Sequence, residues 1–299
     1  MKISEPRCLA AVGDRCGEAV VWSAAENAVW WVDINRFLVH RLAYPDGALL
    51  TWAFDEPVTA LALTDEPGRW LVALASRLIW WWPADNRRQP HGFELPASPI
   101  ARLNDGRADP QGNFWVGSMF NNVAPDGGPQ QASGTPGRLF RVAPGGNVQA
   151  RLQGIGISNT LCWSPCATRF YFADSARNRI DVYRYDAETG DIATDGEAFF
   201  EGFERGAPDG SAIDREGYLW NCRYGGHGIA RIAPDGRLDR FIELPTANPT
   251  TCTFGGPELS TLFITSASYD TVPGDRLAGS LWALDTGTAG LGENVARVG

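Results

Sequence analysis

The 299-residue chain is poor in histidine and methionine, with three His and two Met. So few histidines leave little for a multi-histidine metal centre. No G-x-S-x-G elbow accompanies them, which disfavours Ser/His/Asp catalysis. The six cysteines, Cys8, Cys16, Cys162, Cys166, Cys222 and Cys252, contain no C-x-x-C pair. Cys162 and Cys166 lack the second pair that a structural zinc site needs. Reduced thiols in a cytoplasmic protein are the expectation. No apolar run reaches the roughly 18 residues of a membrane span. The first seven residues, Met1 to Arg7, lack the apolar stretch of a secretory signal. Basic residues are also short: 26 Lys+Arg against 35 Asp+Glu, a net charge of −9. That balance argues against a nucleic acid or an anionic membrane as partner. No segment calls for an obligate protein partner.

Tryptophan and glycine are abundant instead, at 12 and 34 residues. With 44% hydrophobic residues, the chain has enough apolar surface to bury a real core. One unit recurs: a turn, a short apolar strand often rich in aromatics, another turn, another strand. The turns begin at Ser23, Thr64, Asp109, Ser164, Asp214 and Gly255. Strands such as Val29–Val32, Phe114–Val116 and Phe170–Phe172 follow them. The intervals between the turns are 41, 45, 55, 50 and 41 residues. These are the size of a four-stranded propeller blade. The pattern predicts one all-β domain over residues 1–299, a six-bladed β-propeller with four-stranded blades. The Gly/Pro/Gln-rich stretch from Asn121 to Gly137 reads as a long surface loop able to cover one mouth of the channel.

Five residues before each turn stand Glu18, Thr59, Asn104, Asn159, Asp209 and Thr250. All six are polar in an otherwise small and apolar part of the repeat. Equivalent positions on six innermost strands would form a ring around the axis. Two carboxylates, two carboxamides and two hydroxyls suit a hard divalent cation. Glu18 and Asp209 facing one another would repel unless a cation or proton lay between them. Polar channel residues that merely hold water are an equal reading of the same ring.

At these positions the chain resembles the senescence marker protein/regucalcin/gluconolactonase-like family of six-bladed propellers. The matching stretches are Gly17-Glu18 with Trp22, Trp31-Val32-Asp33-Ile34, Arg102-Leu103-Asn104-Asp105-Gly106, Ile157-Ser158-Asn159 and Pro208-Asp209-Gly210-Ser211. The resemblance implies hydrolysis of a sugar-acid lactone, such as a glucono-, xylono-, arabinono- or galactonolactone, to the aldonic acid. It also implies one divalent metal ion (Ca, Mn, Mg, Fe or Zn) held by Glu18, Asn159 and Asp209. Arg102 and Asn104 would bind substrate hydroxyls, and Asp209 would act as general base or orient a hydroxide on the cation. Asn122 stands where some relatives carry an acidic substrate contact. Arg223 and His227 are further candidate substrate contacts at the mouth. Arg102 and Arg223 would also admit an anionic sugar derivative. A propeller organophosphate or aryl-ester hydrolase and a non-catalytic calcium-binding propeller are the alternatives. Asp105 and Tyr224 read first as a backbone-bonding turn residue and a half-buried strand aromatic.

Overall fold

A computed structural model describes residues 3–269, 271 and 274–297. Its strands assemble into six antiparallel sheets arranged in a ring, the six-bladed propeller that the repeat predicts. Among the described residues there is no α-helix, only a short 3₁₀ turn at Ser175–Arg177. The inner strands are Gly17–Ser23, Val58–Leu63, Ala101–Ala108, Ser158–Trp163, Ala207–Ile213 and Pro249–Gly255. Each begins six to eight residues before its turn, so the ring positions fall near the start of these strands.

Blade six closes the ring from both ends of the chain. Arg7–Ala10 pairs with Leu281–Asp285 and supplies the outermost strand of a sheet that otherwise comes from residues 249–285. That long-range pairing removes one free edge and ties the first blade to the last. Blade four is the irregular one, with a short hairpin at Asp191–Ile192 before the strand Glu197–Glu201 returns to pair with Arg179–Asp186.

The aromatic strands pack between blades. Trp30, Trp31, Trp70, Trp81, Trp115, Trp220 and Trp282 are fully buried. Trp30 lies 4.7 Å from Trp70 of the next blade, centroid to centroid. Turn aspartates anchor three of these indoles. Asp14, Asp109 and Asp214 each accept a hydrogen bond from the indole nitrogen of Trp31, Trp115 or Trp220, at 2.8, 2.8 and 3.0 Å. Asp109 and Asp214 also accept backbone amides of their own turns, so one buried carboxylate fixes both turn and strand.

Two segments cross the faces of the disc. The C-terminal stretch 290–297 runs over the ends of the inner strands, with Leu291, Ala296 and Arg297 donating backbone hydrogen bonds to Ile213, Leu63 and Gly112. On the other face, the loop from Asn121 reaches across the mouth. Its Gly127 carbonyl accepts from Asn35 Nδ2 at 3.0 Å and Tyr269 Oη at 3.1 Å. The loop does cover part of one mouth, as its position between two strands suggested.

Candidate functional site

Every inner strand breaks its register at the ring position. The breaks fall between Glu18 and Val21, Val58 and Ala60, Leu103 and Gly106, Asn159 and Cys162, Pro208 and Ser211, and Pro249 and Cys252. A bulge lets a strand turn a side chain out of the ordinary alternation. Ala19 and Thr160, just after two of the ring residues, take positive φ values of 49° and 54°. Gly210 follows Asp209 where a Cβ would lie 2.0 Å from Thr251 Oγ1, so only glycine permits the neighbouring strand to approach.

The bulges aim four of the six ring residues into a cavity of about 380 Å³. Glu18, Asn104, Asn159 and Asp209 line it with Arg102, Asn122, Cys16, Ile34, Met119, Pro129, Ser175, Tyr224 and Tyr269, among others. Thr59 and Thr250 do not line it. Their hydroxyls donate instead to the carbonyls of Ala73, on the next strand of the same blade, and Gly17, on the inner strand of blade one. The cavity sits at the starts of the inner strands, under the loop that carries Pro129.

Glu18 and Asp209 are buried, at 7% exposure each. Burial and neighbouring negative charge hold both carboxyls well above the usual carboxylate range. Glu18 is pushed up to about 8, chiefly by burial and then by the nearby charge of Asp105. Asp209 is likewise raised well above its ordinary value, by burial first and by Glu18 next, and it shares a side-chain hydrogen bond with Glu18. A backbone amide supports each group, Ala19 for Glu18 at 3.0 Å and Gly210 for Asp209.

Asn159 is fixed at both ends. Its Nδ2 donates to Ser175 Oγ at 2.8 Å, and its Oδ1 accepts from Asn104 Nδ2 at 3.2 Å. Asn104 Nδ2 also donates to the Ser158 carbonyl, and Asn104 Oδ1 accepts from Arg102 Nη1 at 2.6 Å. Arg102 is turned toward Asn122, whose Oδ1 accepts from Nε and Nη2, both at 3.0 Å. A chain of hydrogen bonds thus runs Asn122, Arg102, Asn104, Asn159, Ser175. It fixes the carboxamide orientations that the bonds themselves require.

The donor set suits a hard divalent cation. Two carboxylates and the Asn159 carboxamide oxygen form an all-oxygen donor set, and a cation there would offset the charge of the buried carboxylates. Among the described residues no group of three His, Cys, Asp or Glu side chains is placed to bind a metal, so the carboxamide is needed as the third donor. Cys16 lines the cavity as a neutral thiol, since burial and then the charge of Glu18 push its pKa up.

Two expected substrate contacts lie elsewhere. Arg223 is 1% exposed and does not line the cavity. Its guanidinium donates to the carbonyls of Arg205, Phe203 and Gly206 and to Asn178 and Asn221. Neighbours on a strand face opposite ways, so Tyr224 turns into the cavity and Arg223 turns into the packing between blades four and five. His227 is exposed in the next turn at φ 58°, held by backbone bonds to Leu244 and Ala247. Asp105 accepts the amides of Gly106 and Thr160, the backbone role expected of it. The sequence did not mark Cys16, Ile34, Met119, Pro129 or Tyr269 as site residues, although Ile34 lies in a matching stretch and Pro129 in the loop over the mouth. They come from five separate segments, and only the closed ring brings them together.

Residues 16–268 match the family described as the SMP-30/Gluconolactonase/LRE-like region. The 6-deoxy-6-sulfogluconolactonase of Pseudomonas putida is 33% identical over 265 residues, spanning 87% of this chain and 86% of that protein. Pentonolactonase XacC of Haloferax volcanii is also 33% identical, over 289 residues, spanning 93% and 94%. The crystal structure of a calcium-binding protein, regucalcin, from Agrobacterium tumefaciens superposes with a TM-score of 0.88 at 29% identity, covering 98% of this chain and 97% of that one.

Proposed function

The chain belongs to the SMP-30/gluconolactonase/LRE-like family, and from that premise we propose that it hydrolyses a sugar-acid lactone with a divalent cation held by Glu18, Asn159 and Asp209. Relatives named as lactonases for sulfogluconic and pentonic acids support the reaction class. The observation that carries the site assignment is the buried Glu18–Asp209 pair lining one cavity with Asn159, Arg102 and Asn104.

The reaction adds water across the ring ester. The water oxygen bonds to the carbonyl carbon, the bond from that carbon to the ring oxygen breaks, and the ring oxygen takes a proton. The acid formed ionises and releases one proton. When bound, the cation polarises the carbonyl and stabilises the negative charge that develops on its oxygen. Asp209, ionised when the cation is bound, accepts a proton from the attacking water. Glu18 stays anionic beside it. Asn159, fixed by Ser175 and Asn104, would offer its carboxamide oxygen as the third donor to the cation. Arg102 has an unused Nη2 proton and Asn104 Oδ1 an unused lone pair, so they hold sugar hydroxyls from opposite hydrogen-bonding senses. Pro129 and Tyr269 wall the mouth above them.

Asp209→Asn removes the proton acceptor and nearly conserves volume. Lactone turnover should fall by at least about 100-fold, with the circular dichroism spectrum unchanged. Turnover near the wild-type rate in that variant contradicts the assignment.

A further inference from the structure

We propose that a second site, between blades two and three on the face crossed by the C-terminal segment, binds a tetrahedral oxyanion of the phosphate or sulfate type, and that the bound anion pins that segment to the propeller. The cavity there has a volume of about 290 Å³. Arg69 and His91 reach it from blade two, the Gly145-Gly146 turn from blade three, and Arg297 from the C-terminal segment. None of these residues lines the lactone cavity. The described residues of the lining include no Asp or Glu, in a chain whose net charge is −9.

Two buried nitrogens of this lining, Arg69 Nε and His91 Nδ1, have no hydrogen-bond partner among the described residues. Buried polar atoms are nearly always paired, so these two mark a place where an acceptor belongs. Both groups are held in position by one indole. The Arg69 guanidinium lies 4.6 Å from the Trp80 ring centroid, and the His91 ring lies 5.0 Å from it. Arg69 Nη1 meets the exposed Glu66 at 3.1 Å, which leaves Nε free. Asp65 is a further acid beside the segment, its amide donating to the Ala296 carbonyl, but neither Glu66 nor Asp65 lines the cavity. Arg297 is exposed, and among the described residues its one hydrogen bond is from its amide to the Gly112 carbonyl, at 2.9 Å. Its stem lies against that glycine, where a Cβ would come within 2.4 Å of Arg297 Cγ. The backbone is therefore anchored while the guanidinium stays available. Gly145 and Gly146, both at φ 84°, leave the blade-three wall open, with no atom within 4 Å of a Cβ built at either. A planar carboxylate suits one guanidinium fork, whereas a tetrahedral anion accepts from donors on separate segments at once. Bound here, it would join Arg297 of the crossing segment to Arg69 and His91 of blade two.

The full-length protein, freed of divalent cations, is titrated with inorganic phosphate, sulfate and D-glucose 6-phosphate. Calorimetry reads affinity, and NMR reads the imidazoles of the three histidines, His40, His91 and His227. At least one of the three anions should bind one to one with Kd below about 1 mM and move the His91 resonances while those of His40 and His227 stay. Tightest binding of glucose 6-phosphate identifies a phosphorylated metabolite as the source, and tightest binding of phosphate or sulfate identifies the free anion. At about ten times Kd the anion should raise the melting temperature by about 2 °C. Arg297→Gln should weaken binding about tenfold or more and remove that rise. Arg87→Gln removes the same charge from over the Trp82 ring, outside the cavity, and should change neither. None of these readouts depends on lactone turnover. Absence of saturable binding by all three anions at about 10 mM, equal binding of chloride, a shift at His40 or His227 in place of His91, or unchanged affinity in Arg297→Gln overturns the proposal.

Discussion

At the scale of single residues, the raised carboxyls of Glu18 and Asp209 link the site to stability. Glu18 rises from 4.5 to about 8, and Asp209 also lies well above its ordinary value. The folded chain therefore keeps protons that the unfolded chain releases. The stability this contributes is complete below the unfolded values and disappears as pH rises through the folded ones. The chelated protein should lose melting temperature between about pH 5 and about pH 8.5, and Asp209→Asn should flatten that slope. Added divalent cation should raise the melting temperature most at the alkaline end, because binding there displaces fewer protons. Scanning calorimetry across that range checks both signs. Cys166 offers a separate test. Hydrogen bonds with the Ser164 and Thr168 hydroxyls push its thiol down to about 7 while it stays exposed. Iodoacetamide at about pH 7.5 should label it first. Burial raises Cys162 to about 12 and Cys222 well above the usual thiol range. Peptide mass spectrometry of the native protein reads this, and equal labelling of the buried thiols contradicts it.

At the scale of elements, the strand and the bulge explain what could be read from the sequence. The turns at Ser23, Asp109, Ser164 and Asp214 announce themselves through Asp, Asn, Pro and Gly, so the strands after them were legible. Counting back to Glu18, Asn104, Asn159 and Asp209 worked because each inner strand repeats the same bulge. The same count placed Thr59 and Thr250 in the ring, but their short side chains find carbonyls of adjacent strands instead. Arg223 was misplaced for a comparable reason. Its nearness to the ring in sequence says nothing of which side of the strand it takes. The loop over the mouth depends on Gly127, which has φ +78° and stands where a Cβ would lie 2.0 Å from the Asn35 carbonyl oxygen. Gly127→Ala should lift the loop, expose residues 121–137 to proteolysis and raise KM about fivefold or more, with kcat changed less. An unaltered KM and protease pattern would show that the loop does not shape the cavity.

At the scale of the whole molecule, the ring does what no single blade can. Six inner strands meet at one axis, so buried polar groups from blades one, three, four and five converge on one cavity. Arg7–Ala10 closes blade six, and the segment 290–297 seals the opposite face. Repeat length made the blade number legible, yet the closing strand and the C-terminal crossing lie outside the repeat and left no periodic trace. The central claim is that this cavity opens a sugar lactone with the help of a divalent cation. The most direct measurement is proton release at constant pH from a panel of pentono- and hexonolactones, neutral and anionic, before and after chelation. The account predicts one proton per lactone opened, loss of the catalysed rate on chelation, and its return with added divalent cation. Catalysed opening that persists undiminished in chelator, or no catalysed opening of any lactone in the panel, would contradict it.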